Sequence, residues 1–167
     1  SRSSQGKTQV VSLLGEAGVG KSRLLAEFLR RLAAKGLLEQ MTFYQTSCSA
    51  LGNEAYHVLS GFFRTCFALS LEDDAAQARK KIETVLQTLE VQADPIVSVV
   101  ESLLGFAKAE LNLSHLDPEQ LKRQLFWAIK EICQSQCRQR PVLLVVEDFQ
   151  WADAASVELL HALVDRV

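Results

Sequence analysis

The sequence lacks the features that mark several classes of protein. It carries 18 Lys and Arg against 20 Asp and Glu, a net charge of −2, so there is no excess of basic residues for a nucleic-acid surface. No apolar run approaches the roughly 20 residues that a membrane-spanning helix needs. The first nine residues lack the apolar core of a secretory signal. These absences predict a cytoplasmic location and no contact with nucleic acid or membrane through this segment.

Metal-binding patterns of cysteine and histidine are also missing. Two of the four cysteines, Cys133 and Cys137, lie one helical turn apart, which is not the CxxC spacing of a zinc site, and no histidine is close to them in sequence. Free cysteines are usually buried hydrophobic residues. We therefore predict structural roles for all cysteines and histidines: Cys48, Cys66, Cys133, Cys137, His57, His115 and His161.

What the chain does contain is enough apolar sequence for one folded domain. Of its 167 residues 48% are hydrophobic, which is typical of a globular domain and leaves little room for a second one. Three short apolar runs predict buried strands: TQVVSLL (8–14), MTFYQTS (41–47) and VLLVVED (142–148). Helical patterns fill the intervals between them, and Gly36 is placed to end the first helix.

Several helix starts are marked by an aspartate, because its side chain can accept hydrogen bonds from free backbone N–H groups. Asp94-Pro95 and Asp117-Pro118 each combine a capping residue with a proline in the first turn. Gln120 completes the pattern of a capping box with Asp117. Asp153 is placed to cap a last helix over residues 153–164.

Alternating strands and helices predict an α/β fold with a parallel sheet between helical layers. We predict a three-layer αβα arrangement, with an all-helical insert between the second and third strands. We predict one domain with three parts: a phosphate-loop unit (1–48), a helical region (49–140) and an acidic-strand unit (141–167).

The stretch GEAGVGKS (15–22) matches the phosphate-loop pattern G-x-x-x-x-G-K-[ST] at every fixed position. Inward-pointing backbone N–H groups require glycine, Lys21 would reach the β- and γ-phosphates, and the Ser22 hydroxyl would bind Mg²⁺. A predicted strand before the loop and a helix after it argue against a chance glycine-rich turn. The predicted nucleotide-binding residues are Gly15, Glu16, Ala17, Gly18, Val19, Gly20, Lys21, Ser22 and Arg23.

Two carboxylates end the third predicted strand, where ligands of parallel sheets bind. In P-loop enzymes one such acid holds the Mg²⁺ shell, and a neighbour can orient the attacking water. Glu147 is placed for the first role and Asp148 for the second. Strand alternation directs the two side chains to opposite faces, so one of them can instead be structural. Lys21, Glu147 and Asp148 are the predicted catalytic residues, and Ser22, Glu147 and Asp148 are the predicted metal ligands.

The segments EDFQWAD (147–153), GEAGVGKSRLLAEF (15–28), ASVELLHAL (155–163) and SCSALGNEAYHVL (47–59) resemble the ATPase domain of STAND-type proteins. These are AAA-like P-loop NTPases found beside adenylate or guanylate cyclases and in LuxR-type transcriptional regulators. The resemblance implies ATP or another NTP, Mg²⁺, slow hydrolysis and switching of an attached effector domain. It also implies that Trp151 and Asp153 support the acidic strand end, besides their simpler roles as a packed aromatic and a helix cap.

The family pattern also includes elements that this sequence does not contain: a base-gripping segment, a sensor strand, a further strand and a helical lid. We therefore expect a fragment with an incomplete three-strand sheet, an exposed edge that favours self-association, weak nucleotide affinity and little hydrolysis. Alternatives are a nucleotide-dependent scaffold with negligible turnover, a scaffold that has lost its nucleotide, and a small-molecule kinase. The intact loop argues against a scaffold without nucleotide, and the WAD signature and helical insert argue against a kinase.

Overall fold

The computed structural model describes residues 8–49, 55–106 and 117–164. Within them two short 3₁₀ turns accompany the strands and helices, at Leu38–Gln40 and Phe149–Trp151. The order of the strands and helices is α1 (Lys21–Ala34), β1 (Thr42–Ser47), α2 (His57–Cys66), α3 (Ala75–Thr88), α4 (Ala93–Leu103), α5 (Pro118–Gln139), β2 (Val142–Glu147) and α6 (Ala154–Val164).

Strands β1 and β2 form a parallel pair, in a register that runs from Thr42 opposite Val142 to Ser47 opposite Glu147. Along β1, Tyr44 and Thr46 are buried and Gln45 is exposed, so alternate side chains divide between the core and an open face. The parallel sheet confirms the predicted α/β class. The strand predictions over 41–47 and 142–148 are confirmed to within one residue at each end.

The predicted strand over residues 8–14 is wrong. This segment has no regular secondary structure and every residue in it is exposed, with Leu14 at 91%. The sheet therefore has two strands in the described part of the chain, where the sequence predicted three. An apolar, β-branched run becomes a strand only when a neighbouring strand pairs with its backbone groups, and neither β1 nor β2 pairs with residues 8–14.

The crossover between the two strands is helical, as predicted. Helices α2 to α5 pack around one core, in which α3 and α5 each contact α4, while α2 packs on β1. Three phenylalanines of this core contact one another: Phe62 lies edge-on to Phe63, and Phe63 stacks on Phe67 at 6.1 Å between ring centroids. The largest fully buried side chains also include Leu59, Ile82, Leu86, Ile96, Leu125, Ile129 and Ile132. The sheet and the insert thus share one hydrophobic core.

Helix α1, unlike the helices of the insert, contributes no buried residue to the hydrophobic core. It ends at Ala34, and Gly36 follows with φ at 64°, so the predicted end of the helix is confirmed. None of its residues is buried, and Leu24 and Phe28 are 57% and 48% exposed. Its apolar stripe is therefore only partly covered by the described residues.

Two predicted caps are wrong in detail. Helix α4 begins at Ala93, so Asp94 lies inside its first turn and is not the cap. Asp117 does precede α5, but its side chain accepts no capping hydrogen bond. Instead the Gln120 N–H donates to the Asp117 backbone carbonyl at 2.8 Å, so the capping box does not form. At this helix start the backbone carbonyl of Asp117, and not its carboxylate, accepts the hydrogen bond from the free N–H group.

Candidate functional site

The glycines of the loop at residues 15–22 occupy positions that other residues fill only with strain. Gly18 and Gly20 have φ angles of 80° and 99°, in the left-handed half of the map where an L side chain clashes with its own backbone. A Cβ atom on Gly15 would lie 2.8 Å from Val19 Cγ1. The loop therefore needs Gly18 and Gly20 for its backbone conformation, and a side chain at position 15 would require Val19 to shift.

The loop closes around the lysine that follows it. Lys21 Nζ donates hydrogen bonds to the carbonyl oxygens of Gly15 and Glu16, both at 2.9 Å. These bonds hold the ammonium group at the mouth of the loop. A positive charge is thus fixed beside the start of α1, whose helix dipole is also positive at that end.

The N–H groups at the start of α1 are unpaired within the described residues. Gly20 stands at the N-cap position, and no side chain caps the helix. The first backbone bond of the helix runs from Leu24 N to Gly20 O at 2.9 Å. The N–H groups of Lys21, Ser22 and Arg23 consequently remain available to an anionic ligand.

The acidic end of β2 separates its two carboxylates. Glu147 is the last residue of the strand, and its Oε1 accepts a hydrogen bond of 2.6 Å from Gln45 Nε2 on β1. Asp148 has left the strand with φ at 54°, a left-handed conformation, and its Oδ1 accepts from Gln150 Nε2 at 3.3 Å. Glu147 therefore lies on the open face of the sheet with Gln45. The orientation of the Asp148 side chain is set by the left-handed turn after the strand and not by strand alternation.

Asp153 caps two helices at once. Its carboxylate accepts hydrogen bonds from Ser156 N in the first turn of α6, and from Tyr56 N and His57 N at the start of α2. The predicted α6 cap is confirmed. Sequence reasoning missed the bond to α2, and the WAD signature was the signal that marked the residue.

The protonation of Asp153 reflects this position. Partial burial would raise the pKa of its carboxyl, but the nearby Ser156 hydroxyl and the backbone hydrogen bonds from Ser156, Tyr56 and His57 outweigh burial, and the pKa lies below its usual value. Asp153 is therefore ionised at neutral pH. Its negative charge faces the positive N-terminal ends of both helices.

The predicted site residues thus form two groups, the loop with the start of α1 and the end of β2. No hydrogen bond or ion pair links the loop to Glu147 or Asp148 among the described residues. Within the same part of the chain, no cluster of three His, Cys, Asp or Glu side chains could hold a metal. The donor set of Ser22, Glu147 and Asp148 consists of hydroxyl and carboxylate oxygens, which suit Mg²⁺.

The cysteines take ordinary structural positions. Cys48, Cys66 and Cys133 are buried and Cys137 is exposed, all as free thiols. Burial raises the pKa of Cys66 to about 11, with smaller opposing contributions from hydrogen bonds of Tyr44 and Gln136. Such a thiol is protonated at neutral pH and unreactive.

A comparison with known families adds to this geometry. The sequence model of the AAA ATPase domain family matches residues 1–167. The chain belongs to this family. It is a nucleotide-binding, AAA-like P-loop ATPase domain, and the family implies ATP, typically with Mg²⁺.

Comparison with curated proteins and solved structures adds less. The chain is 28% identical over 158 residues to an uncharacterized protein of Rhizobium meliloti (strain 1021), covering 93% of this chain. It spans 15% of the length of that relative. No solved structure matches. Among the described helices of this AAA ATPase domain, none has the length and apolar content to cross a membrane.

Proposed function

We propose that this AAA ATPase domain is a STAND-like switch module, which binds ATP with Mg²⁺, hydrolyses it slowly and changes the state of an attached effector domain. The support for the STAND subtype is the segment EDFQWAD (147–153) together with the intact loop at 15–22. A cyclase or a transcriptional regulator is the kind of effector that this resemblance implies.

One observation carries the proposal. The Lys21 ammonium group is bound to two loop carbonyls, next to the start of α1, where three N–H groups have no partner among the described residues. A polyphosphate accepts hydrogen bonds and donates none when ionised, so it fits both the cation and the N–H groups. The predicted binding residues, Gly15 to Arg23, are contiguous around this point.

The proposed roles follow from the donor types. Lys21 binds the β- and γ-phosphates, and Ser22 supplies a hydroxyl oxygen for Mg²⁺. Glu147 would hold the metal through its bound waters, and Asp148 would orient the attacking water. When bound, Mg²⁺ neutralises charge that develops on the phosphoryl oxygens. Gln45 keeps the Glu147 carboxylate in one orientation on the open face of the sheet.

Nucleotide binding is tested by titrating the chain with a fluorescent ATP analogue, with and without Mg²⁺. Lys21→Ala should abolish binding, because it removes the fixed cation. Lys35→Ala, at the other end of α1 and exposed, is the matched control and should bind like the unaltered chain. Equal affinity in all three proteins would show that the loop is not the site.

A nucleotide-dependent regulatory scaffold with negligible hydrolysis is the second candidate. It is favoured by the separate hydrogen bonds that hold the two acids, since Glu147 pairs with Gln45 and Asp148 with Gln150. Phosphate release separates the two functions. If the unaltered chain releases phosphate, and Glu147→Gln and Asp148→Asn each abolish that release, the ATPase is supported. Binding without any release supports the scaffold.

Self-association is part of the same proposal. The apolar side chains of Leu24 and Phe28 on α1 are exposed, and β2 pairs only with β1 among the described residues. Open strand edges and apolar stripes favour association between copies. Sedimentation velocity over a concentration series tests this, with Phe28→Glu expected to shift the protein towards monomer. A monomer at every concentration would contradict it.

A further inference from the structure

A polar cavity lies beside β1, on the face where helix α2 packs. Its volume is about 480 Å³, within the range of small-molecule sites. Residues 45–47 of β1 form one wall and the end of α4 forms another. The third wall is one face of α2, where His57, Ser60 and Arg64 recur at helical spacing. The opposite face of α2 packs in the core, so His57, Ser60 and Arg64 lie outside the hydrophobic core.

Arg64 is the permanently charged residue among the described lining residues of this cavity. Its guanidinium carbon lies 5.7 Å from the centroid of the Phe106 ring, within the range of a cation–π contact. Its Nη1 atom is buried and has no hydrogen-bond partner within the described part of the chain. A guanidinium group cannot lose its charge in a protein, and a buried donor without an acceptor is costly.

The groups around Arg64 favour an anion at its end of the cavity. Ser47 and Ser60 line the cavity, and both carry hydroxyl donors. The Thr65 hydroxyl already donates to the Gln45 and Gly61 carbonyls, so it is not a donor for a ligand. The negative carboxylate of Asp153 is bound to the backbone of His57, at the other end of α2. That end is about 10 Å away along the helix, which places the Arg64 end outside its immediate field.

We propose that the Arg64 end of this cavity binds a small oxyanion, the carboxylate or phosphate group of a metabolite, with Arg64 and Ser60 as donors. Arg64 lines the cavity and forms no ion pair among the described residues, and a planar guanidinium is suited to two-oxygen recognition through N–H groups other than the buried Nη1. The site is separate from the phosphate loop. It adjoins Gln45, whose side chain holds Glu147, so an occupant would lie next to the strand that supports the acidic end of β2.

The test uses the full chain carrying Lys21→Ala, so that the phosphate loop does not compete for the ligand. The ¹⁵N-labelled protein is titrated with inorganic phosphate and, separately, with succinate at constant ionic strength. We expect saturable shifts of the Ser60 and Thr65 amide signals with a dissociation constant of about 1 mM, which a few charge-assisted hydrogen bonds can supply. Saturation by one anion alone identifies its class, and saturation by both supports a general oxyanion site.

Charge-matched variants decide whether Arg64 is responsible. Arg64→Met should weaken binding at least about tenfold, while Lys80→Met, which removes an exposed charge on α3, should leave it unchanged. If Arg64→Met does not fold, Arg64→Lys and Ser60→Ala should each weaken binding. Linear shifts with both anions, or saturable shifts that survive the Arg64 and Ser60 substitutions, would overturn the proposal.

Discussion

The carboxylate of Asp153 binds the backbone N–H of His57 at 3.0 Å, across 96 residues of sequence. The same side chain accepts from Ser156 N at 2.8 Å. Asp153 lies two residues after the 3₁₀ turn Phe149–Trp151, which follows the two acids at the end of β2. One side chain therefore joins the acidic end of the sheet to the first helix of the insert.

Asp153→Ala should lower the free energy of unfolding by about 2 kcal/mol, because a lost helix cap costs about 1 kcal/mol and this residue caps two helices. Urea denaturation monitored by circular dichroism measures the change. Asp117→Ala is the matched control, since Asp117 precedes α5 without a side-chain cap. A loss no larger than in the control would mean that these bonds contribute nothing in solution.

The contribution of Asp153 should depend on pH. Its pKa is lowered in the folded state, so its stabilisation is complete well above the unfolded value of about 3.9 and is lost as pH falls through the lower folded pKa. The stability difference between the unaltered chain and Asp153→Asn should therefore shrink between about pH 5 and pH 2. Urea unfolding at several pH values measures it, and a constant difference would contradict the assignment.

Gly20→Ala should weaken nucleotide binding by distorting the loop. The φ angle of Gly20 is 99°, and Gly36, after the other end of α1, also has a positive φ of 64°. Alanine at either position should cost about 1 kcal/mol of stability. Only Gly20→Ala should lower the affinity for the fluorescent ATP analogue. Equal affinities of Gly20→Ala and Gly36→Ala for the ATP analogue would show that the loop takes no part in binding.

Gln45→Leu should raise the Mg²⁺ concentration needed for half-maximal enhancement of ATP binding. Carboxylates that hold a metal are oriented by their own hydrogen-bond partners, and removing such a partner typically costs about 10-fold or more in metal affinity. Affinity without Mg²⁺ should not change. Gln40→Ala is a surface control on the Leu38–Gln40 turn. A Mg²⁺ dependence unaffected by Gln45→Leu would show that the bond to Glu147 has no role at the metal.

Gly61→Ala should destabilise the contact between α2 and β1. A Cβ atom at this position would lie 2.1 Å from Thr46 Oγ1 and 3.2 Å from Thr46 Cβ, so the helix must move away from the strand. Overpacking of this kind costs about 1–3 kcal/mol. Thr46→Ala in the same chain should restore part of the loss, because it removes the nearer atom. Thermal unfolding of the single and double variants tests this. If the stability losses of the two substitutions simply add in the double variant, the side chains at positions 46 and 61 do not come into contact.

Local patterns predicted much of the secondary structure. Residues 41–47 and 142–148 were predicted as strands because each is short, apolar and bounded by helical patterns. The end of α1 before Gly36 followed from a glycine where the chain must adopt positive φ. These signals succeeded because they depend on residues that are close together in sequence.

The sequence by itself predicted the phosphate-loop pattern, the helical crossover and an AAA-like ATPase, since these rest on motifs of residues that are close together in sequence. Only the tertiary structure decided that residues 8–14 pair with no strand, that Gln45 holds Glu147, and that Asp153 caps α2. The physical reason is the same in each case. A pattern indicates which groups need a partner, but pairing across 96 or 102 residues depends on how the chain folds back on itself.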